Sequence, residues 1–138
     1  MIEKVKKIWL EGELVDWDQA NIHVLSHTMH YGLGAFEGIR AYRGENGKTA
    51  IFRLREHIQR LFDTCKLIAI KPRFNVDDLS EACVELMRVN ELDEGYLRPL
   101  IYVGDGAMGV YAPENPIRSA IVCWRWGAYL GSGALERG

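Results

Sequence analysis

The chain has 138 residues, 48% of them hydrophobic and 26% charged, with a formal net charge of -2. That length holds one domain with its own core. The near-neutral charge offers no basic field to nucleic acid or an anionic membrane, and no apolar run approaches the ~20 residues of a membrane span.

The first residues, Met1 to Lys7, are basic but have no apolar stretch behind them, so they do not read as a signal peptide. Ile8 to Val15 reads as a β-hairpin turning near Glu11-Gly12. Irregular chain is expected from Asp18 to Gly34, with His23, His27 and His30 in it. A strand starts around Phe36 and places Ile39 and Ala41 on one face, Arg40 and Tyr42 on the other. Gly44 to Gly47 is a turn, and Thr49 to Phe52 a return strand.

From Leu54 the period becomes helical. Leu54, Ile58, Leu61, Phe62 and Cys65 predict an amphipathic helix over 54–67. A second helix starts near Asn75, with Asp77 and Asp78 in its first turn, where their charge suits the helix dipole. Leu79, Ala82, Cys83 and Leu86 form its apolar stripe. Tyr96 to Val103 and Ser119 to Trp124 read as strands, with a glycine-rich loop from Gly104 to Gly109 between them. The order predicts an α+β fold, a largely antiparallel sheet with two helices packed on one face. Three widely spaced cysteines, Cys65, Cys83 and Cys123, argue against a disulfide framework and for a reducing cytoplasm, and the two on apolar helix faces, Cys65 and Cys83, are expected as buried inert thiols.

Several chemistries drop out. The three loop histidines lack a cysteine or acidic partner at ligand spacing, so no metal is expected and backbone hydrogen bonds are. There is no G-x-S-x-G elbow and no P-loop, and Glu37 stands where a dinucleotide fingerprint needs its third glycine. The run His30 to Arg40 holds three glycines, too many for a stable helix interior. It reads as a shaped loop feeding a strand, with Tyr31, Phe36 and Arg40 facing whatever it approaches. Arg60 offers a phosphate a bidentate fork, or pairs one turn back with Glu56. Arg98, on an apolar strand beside Tyr96, needs an anion if buried, and Glu37 or a ligand could be it. Trp124, Trp126 and Tyr129 are either core or pocket wall.

Five stretches together carry a family resemblance. They are His27 to Arg40 (HTMHYGLGAFEGIR), Phe52 to Leu61 (FRLREHIQRL), Tyr96 to Leu100 (YLRPL), Gly104 to Val110 (GDGAMGV) and Trp126 to Gly131 (WGAYLG). In this order and spacing the chain resembles the N-terminal small domain of the branched-chain aminotransferases, fold-type IV enzymes that use pyridoxal 5'-phosphate. The resemblance implies transfer of the amino group of leucine, isoleucine or valine to 2-oxoglutarate. It implies that Arg60 binds the cofactor phosphate, Tyr96 receives the substrate α-carboxylate and Arg98 accepts the distal carboxylate of glutamate. Phe36, Gly38 and Tyr129 would wall the side-chain pocket. Tyr31 and Val110 would reach a neighbouring subunit's pocket in a homodimer or larger oligomer.

None of the chain's lysines matches the family's catalytic position, so the Schiff-base lysine is expected beyond Gly138, on a C-terminal domain outside this chain. Residues 1–138 are then expected to be inactive alone. Rival readings are a D-amino acid aminotransferase or an aminodeoxychorismate lyase of the same fold, and, from another class, a non-catalytic binding or dimerisation module.

Overall fold

The computed structural model describes residues 2–45 and 47–126. Strands β1 (Lys7–Leu10) and β2 (Glu13–Asp16) form the first hairpin. Its two turn residues, Glu11 and Gly12, both have positive φ, 55° and 101°. A two-residue turn of this kind twists with the strands it joins. A 3₁₀ turn, Trp17–Gln19, and a five-residue helix α1 (His27–Tyr31) follow. Irregular chain was expected there. One and a half helical turns are too short to show a periodic apolar face.

Next come β3 (Gly34–Phe36), β4 (Ile39–Arg43) and β5 (Thr49–Ile51), then helices α2 (Leu54–Leu67) and α3 (Val76–Val89). The long strands β6 (Gly95–Val103) and β7 (Ile117–Trp124) close the domain. Among the described residues the sheet has seven strands in the order β2-β1-β7-β6-β4-β5, with β3 also on β6, and every pairing is antiparallel. The fold is therefore α+β, as the order of elements predicts.

Helices α2 and α3 cover one face of this sheet. The core forms between Ile58, Leu61 and Cys65 of α2, Leu79, Cys83 and Leu86 of α3, and Ile39, Leu97, Ile101, Ile121 and Cys123 of the strands. Strand β6 alternates strictly between buried and half-buried residues along its length. Its covered side is Leu97, Pro99, Ile101 and Val103; its other side is Tyr96, Arg98, Leu100 and Tyr102. The thiols lie within the core, and burial pushes Cys83 up to about 12 and Cys123 up to about 11.

Both long helices have defined ends. The Asn75 side chain accepts from the backbone N–H groups of Asp77 and Asp78, and the Asp78 side chain returns a bond to the Asn75 N–H. This reciprocal cap satisfies donors the helix itself leaves open. At the far end of α3, buried Asn90 ties the helix to the sheet. Its Oδ1 accepts from Lys7 N at 2.8 Å, and its Nδ2 donates to Lys7 O and Leu86 O, both at 2.9 Å.

One residue shapes the strand that carries the site. Phe36↔Leu100 and Ile39↔Leu97 belong to a single register against β6, yet the strand is split between β3 and β4. Opposite the split, the Glu37 N–H donates to the Pro99 carbonyl at 3.0 Å. Pro99 has no N–H to return, so the ladder breaks at Glu37-Gly38. A proline inside a central strand thus loosens its neighbour at the point where the glycine is needed.

Candidate functional site

The face of the sheet away from the helices carries a charged and aromatic cluster. Alternation puts Phe36, Gly38 and Arg40 of one strand beside Leu100, Arg98 and Tyr96 of β6. Trp124 of β7 is Tyr96's partner on the other side. The Arg98 guanidinium lies over the Phe36 ring, 4.4 Å from its centroid, and 5.5 Å from that of Tyr96. Its Nη2 donates to the Tyr96 hydroxyl at 3.3 Å. The Tyr96 ring packs against Trp124 and Trp126 with centroids 5.1 and 4.6 Å apart. Gly38 admits the Tyr96 hydroxyl to a place where any side chain would collide with it.

This face holds positive charge without its counter-charge. The Nε atoms of Arg40 and Arg98 are buried and lack a hydrogen-bond partner. Among the described residues neither arginine forms an ion pair, and Arg40 instead lies 5.7 Å from the Tyr42 ring centroid. Buried guanidinium donors with no acceptor favour an anion bound between them and the aromatic wall.

Glu37 points the other way, toward α2. Its carboxylate accepts from Arg60 through Nε at 2.5 Å and Nη2 at 2.7 Å, and lies 3.0 Å from His57 Nδ1. Burial raises the carboxyl's pKa, but the hydrogen bonds from Arg60 and His57 outweigh it, so Glu37 stays below the ordinary carboxylate range. Two sequence readings are corrected here. Arg60 does not pair with Glu56, which pairs with Arg53 instead. Glu37 does not neutralise Arg98, because the two side chains leave opposite faces of the sheet. Arg60 keeps both Nη1 hydrogens outside this pair, and its side chain is 67% exposed. An anion can therefore approach its outer edge.

Tyr31 and the loop at Val110 are linked through His27, beyond the Phe36 end of this cluster and far from Tyr96. Tyr31 ends α1 and stacks on His27, with centroids 4.4 Å apart. The His27 Nε2 donates to the carbonyl of Gly109, next to Val110, at 2.7 Å. The Thr28 hydroxyl accepts from the Val103 N–H, so α1 sits at the Val103 end of β6. Tyr96 is seven residues away along that strand, about 23 Å at the rise of a β-strand. Both Tyr31 and Val110 are exposed there.

Tyr129 lies outside the described residues. His23 and His30 also bond to the backbone, at Leu25 N and Val24 O. Arg40 and Glu37 are the residues that sequence reasoning undervalued. Arg40 was visible as a charged residue facing the same way as Phe36, whereas Glu37 carried no signal that pointed to Arg60.

An aminotransferase domain fits this arrangement, and the chain belongs to that class: the family model for class IV amino-transferases matches residues 34–132. More particularly, the chain is 46% identical over 137 residues to the branched-chain-amino-acid aminotransferase of Escherichia coli strain K12, covering 99% of this chain and 44% of that protein. A crystal structure of the Escherichia coli branched-chain amino acid aminotransferase matches with a TM-score of 0.91 at 44% identity, over 95% of this chain and 43% of that one. A second branched-chain amino acid aminotransferase, from T.th. and solved with pyridoxamine 5'-phosphate, matches with a TM-score of 0.88 at 40% identity, over 96% of this chain and 43% of that one. The chain thus spans less than half the length of these relatives.

Proposed function

We propose that this chain is the substrate-pocket domain of a branched-chain amino acid aminotransferase that moves the amino group of leucine, isoleucine or valine to 2-oxoglutarate with pyridoxal 5'-phosphate. The observation that carries the reading is the pairing of a wall of aromatic side chains with an arginine whose buried Nε has no partner, Arg98 over Phe36. An aliphatic side chain gains roughly 1.5–3 kcal/mol by full burial on such a wall. A glutamate carboxylate is met at the rim by the Arg98 fork. One pocket then serves both half-reactions.

In this reading Arg60 holds the cofactor phosphate through the edge that Glu37 leaves open. Tyr96 keeps its hydroxyl proton to donate to the substrate α-carboxylate, since it accepts from Arg98. Phe36, Gly38 and Tyr129 shape the side-chain pocket. The bound cofactor supplies the electron sink for the chemistry at the α-carbon, and the protein supplies orientation. None of the chain's six lysines lies on β3, β4, β6 or β7. We assign the amine that exchanges with substrate and moves the α-proton to a segment outside residues 1–138, which form one N-terminal small domain.

Tyr31 and Val110, exposed at the far end of β6, serve the pocket of a second subunit in a homo-oligomer. No helix among the described residues is long and apolar enough to cross a membrane, and a cytoplasmic enzyme of amino acid biosynthesis accords with the three free cysteines. The test is an amino-donor panel on the intact protein with pyridoxal 5'-phosphate. Glutamate formed from 2-oxoglutarate at the expense of L-leucine is expected. Preference for D-alanine would favour a D-amino acid aminotransferase, pyruvate release from aminodeoxychorismate a lyase, and no turnover with any donor a non-catalytic module.

A further inference from the structure

We infer that Glu37 is a positioning residue, holding the guanidinium of Arg60 in the one orientation that presents its free edge to the cofactor phosphate. The inference rests on the assignment of Arg60 to that phosphate. It begins from an asymmetry of burial. The Glu37 side chain is 7% exposed and that of Arg60 67%. An exposed arginine has wide rotamer freedom, and its planar fork binds an anion well only when it is already aimed. A buried carboxylate is fixed by its surroundings and can do the aiming.

The geometry suits that task. Glu37 uses both oxygens against two different nitrogens of Arg60, Nε and Nη2, so it fixes the plane of the guanidinium as well as its position. His57, one turn earlier on α2, meets the same carboxylate at 3.0 Å and keeps it from rotating. The backbone of Glu37 is anchored in turn by its bond to the Pro99 carbonyl. Because side chains alternate along a strand, the flanking residues Phe36 and Gly38 face the substrate side while Glu37 faces α2. A single tripeptide therefore sets the wall of the substrate pocket and the anchor of the cofactor.

A carboxylate that only braced α2 against the sheet would affect every ligand alike. A positioning role is specific to the phosphate. The experiment uses the intact apoprotein and titrates it with pyridoxal 5'-phosphate and, separately, with pyridoxal, which lacks the phosphate, following absorbance and tryptophan fluorescence. Glu37→Gln is expected to weaken the phosphorylated ligand about ten- to a hundredfold, the worth of a charge-assisted hydrogen bond, and to leave pyridoxal largely unchanged. Arg60→Ala should show the same selective loss, and Glu37→Gln added to Arg60→Ala should make it no worse. Glu37→Asp, which keeps the charge but shortens the reach, should fall between the wild type and Glu37→Gln, and carries the test if Glu37→Gln does not fold. Equal loss of both ligands, or no loss, in the Glu37 variants would overturn the inference while leaving the phosphate assignment intact. Undiminished preference for the phosphorylated ligand in Arg60→Ala would overturn the assignment of Arg60, and with it the role given to Glu37.

Discussion

Gly38 lies so close to the hydroxyl of Tyr96 that a β-carbon at position 38 would stand 1.7 Å from that oxygen. The hydroxyl cannot simply retreat, since the Tyr96 ring is packed against Trp124 and Trp126. Gly38→Ala should therefore displace Tyr96 from the position proposed for the substrate α-carboxylate. We expect kcat/KM for leucine to fall about a hundredfold, as misplacement by an ångström can cost that much. Overpacking should cost about 1–3 kcal/mol of stability. Steady-state kinetics and denaturant unfolding of the intact protein measure both, and unaltered kinetics would remove Tyr96 from the carboxylate site.

In the proposed reaction Arg98 would distinguish the two half-reactions. Replacing it with glutamine removes the fork proposed for the distal carboxylate but leaves the aromatic wall. The expected result is a KM for 2-oxoglutarate raised about ten- to a hundredfold and a much smaller change for leucine. Equal losses with both substrates would assign Arg98 to the α-carboxylate or to structure.

The Arg60–Glu37–His57 cluster makes stability depend on pH with a defined sign. The Glu37 pKa in the fold is lowered from 4.5, through bonds that outweigh burial. Its contribution is thus fully present above about pH 4.5 and is lost as pH falls through the lower folded value. Glu37→Gln should destabilise the protein at neutral pH, and the gap to the wild type should narrow in acid. Urea unfolding from about pH 7 to about pH 3 reads this directly; a gap that stays constant would mean the carboxylate is not the ionised partner.

Asn90 imitates a strand, satisfying both the N–H and the carbonyl of Lys7 while also bonding Leu86 O and Cys123 Sγ. Asn90→Ala should leave the half-buried N–H and carbonyl of Lys7 without this partner at a cost of about 2–4 kcal/mol. Asn75→Ala is the comparison. It removes an exposed cap worth about 1 kcal/mol. Chemical denaturation should rank the two in that order.

Much of the domain is written in local pattern. The helical period from Leu54 to Cys65, the cap at Asn75 and the alternation of β6 each report on residues within a turn or two of one another, and each element lies where its pattern predicts. Helix α1 escaped because five residues cannot display a period. The break between β3 and β4 escaped because its cause, Pro99, is distant in sequence and acts only through the register that makes it a neighbour of Glu37.

The sequence alone determined the family, the α+β order and the identities of Phe36, Tyr96, Arg98 and Arg60, since side-chain type and spacing are local properties. Only the tertiary structure decided which charges meet. By sequence Glu37 is a candidate partner for Arg98, and Arg60 stands one helical turn from Glu56. The pleat of the sheet turned Glu37 toward α2, and the packing of α2 brought Arg60, 23 positions along the chain, onto both its oxygens. Partner choice among charged groups follows from strand register and helix docking, and these emerge only when the whole core closes.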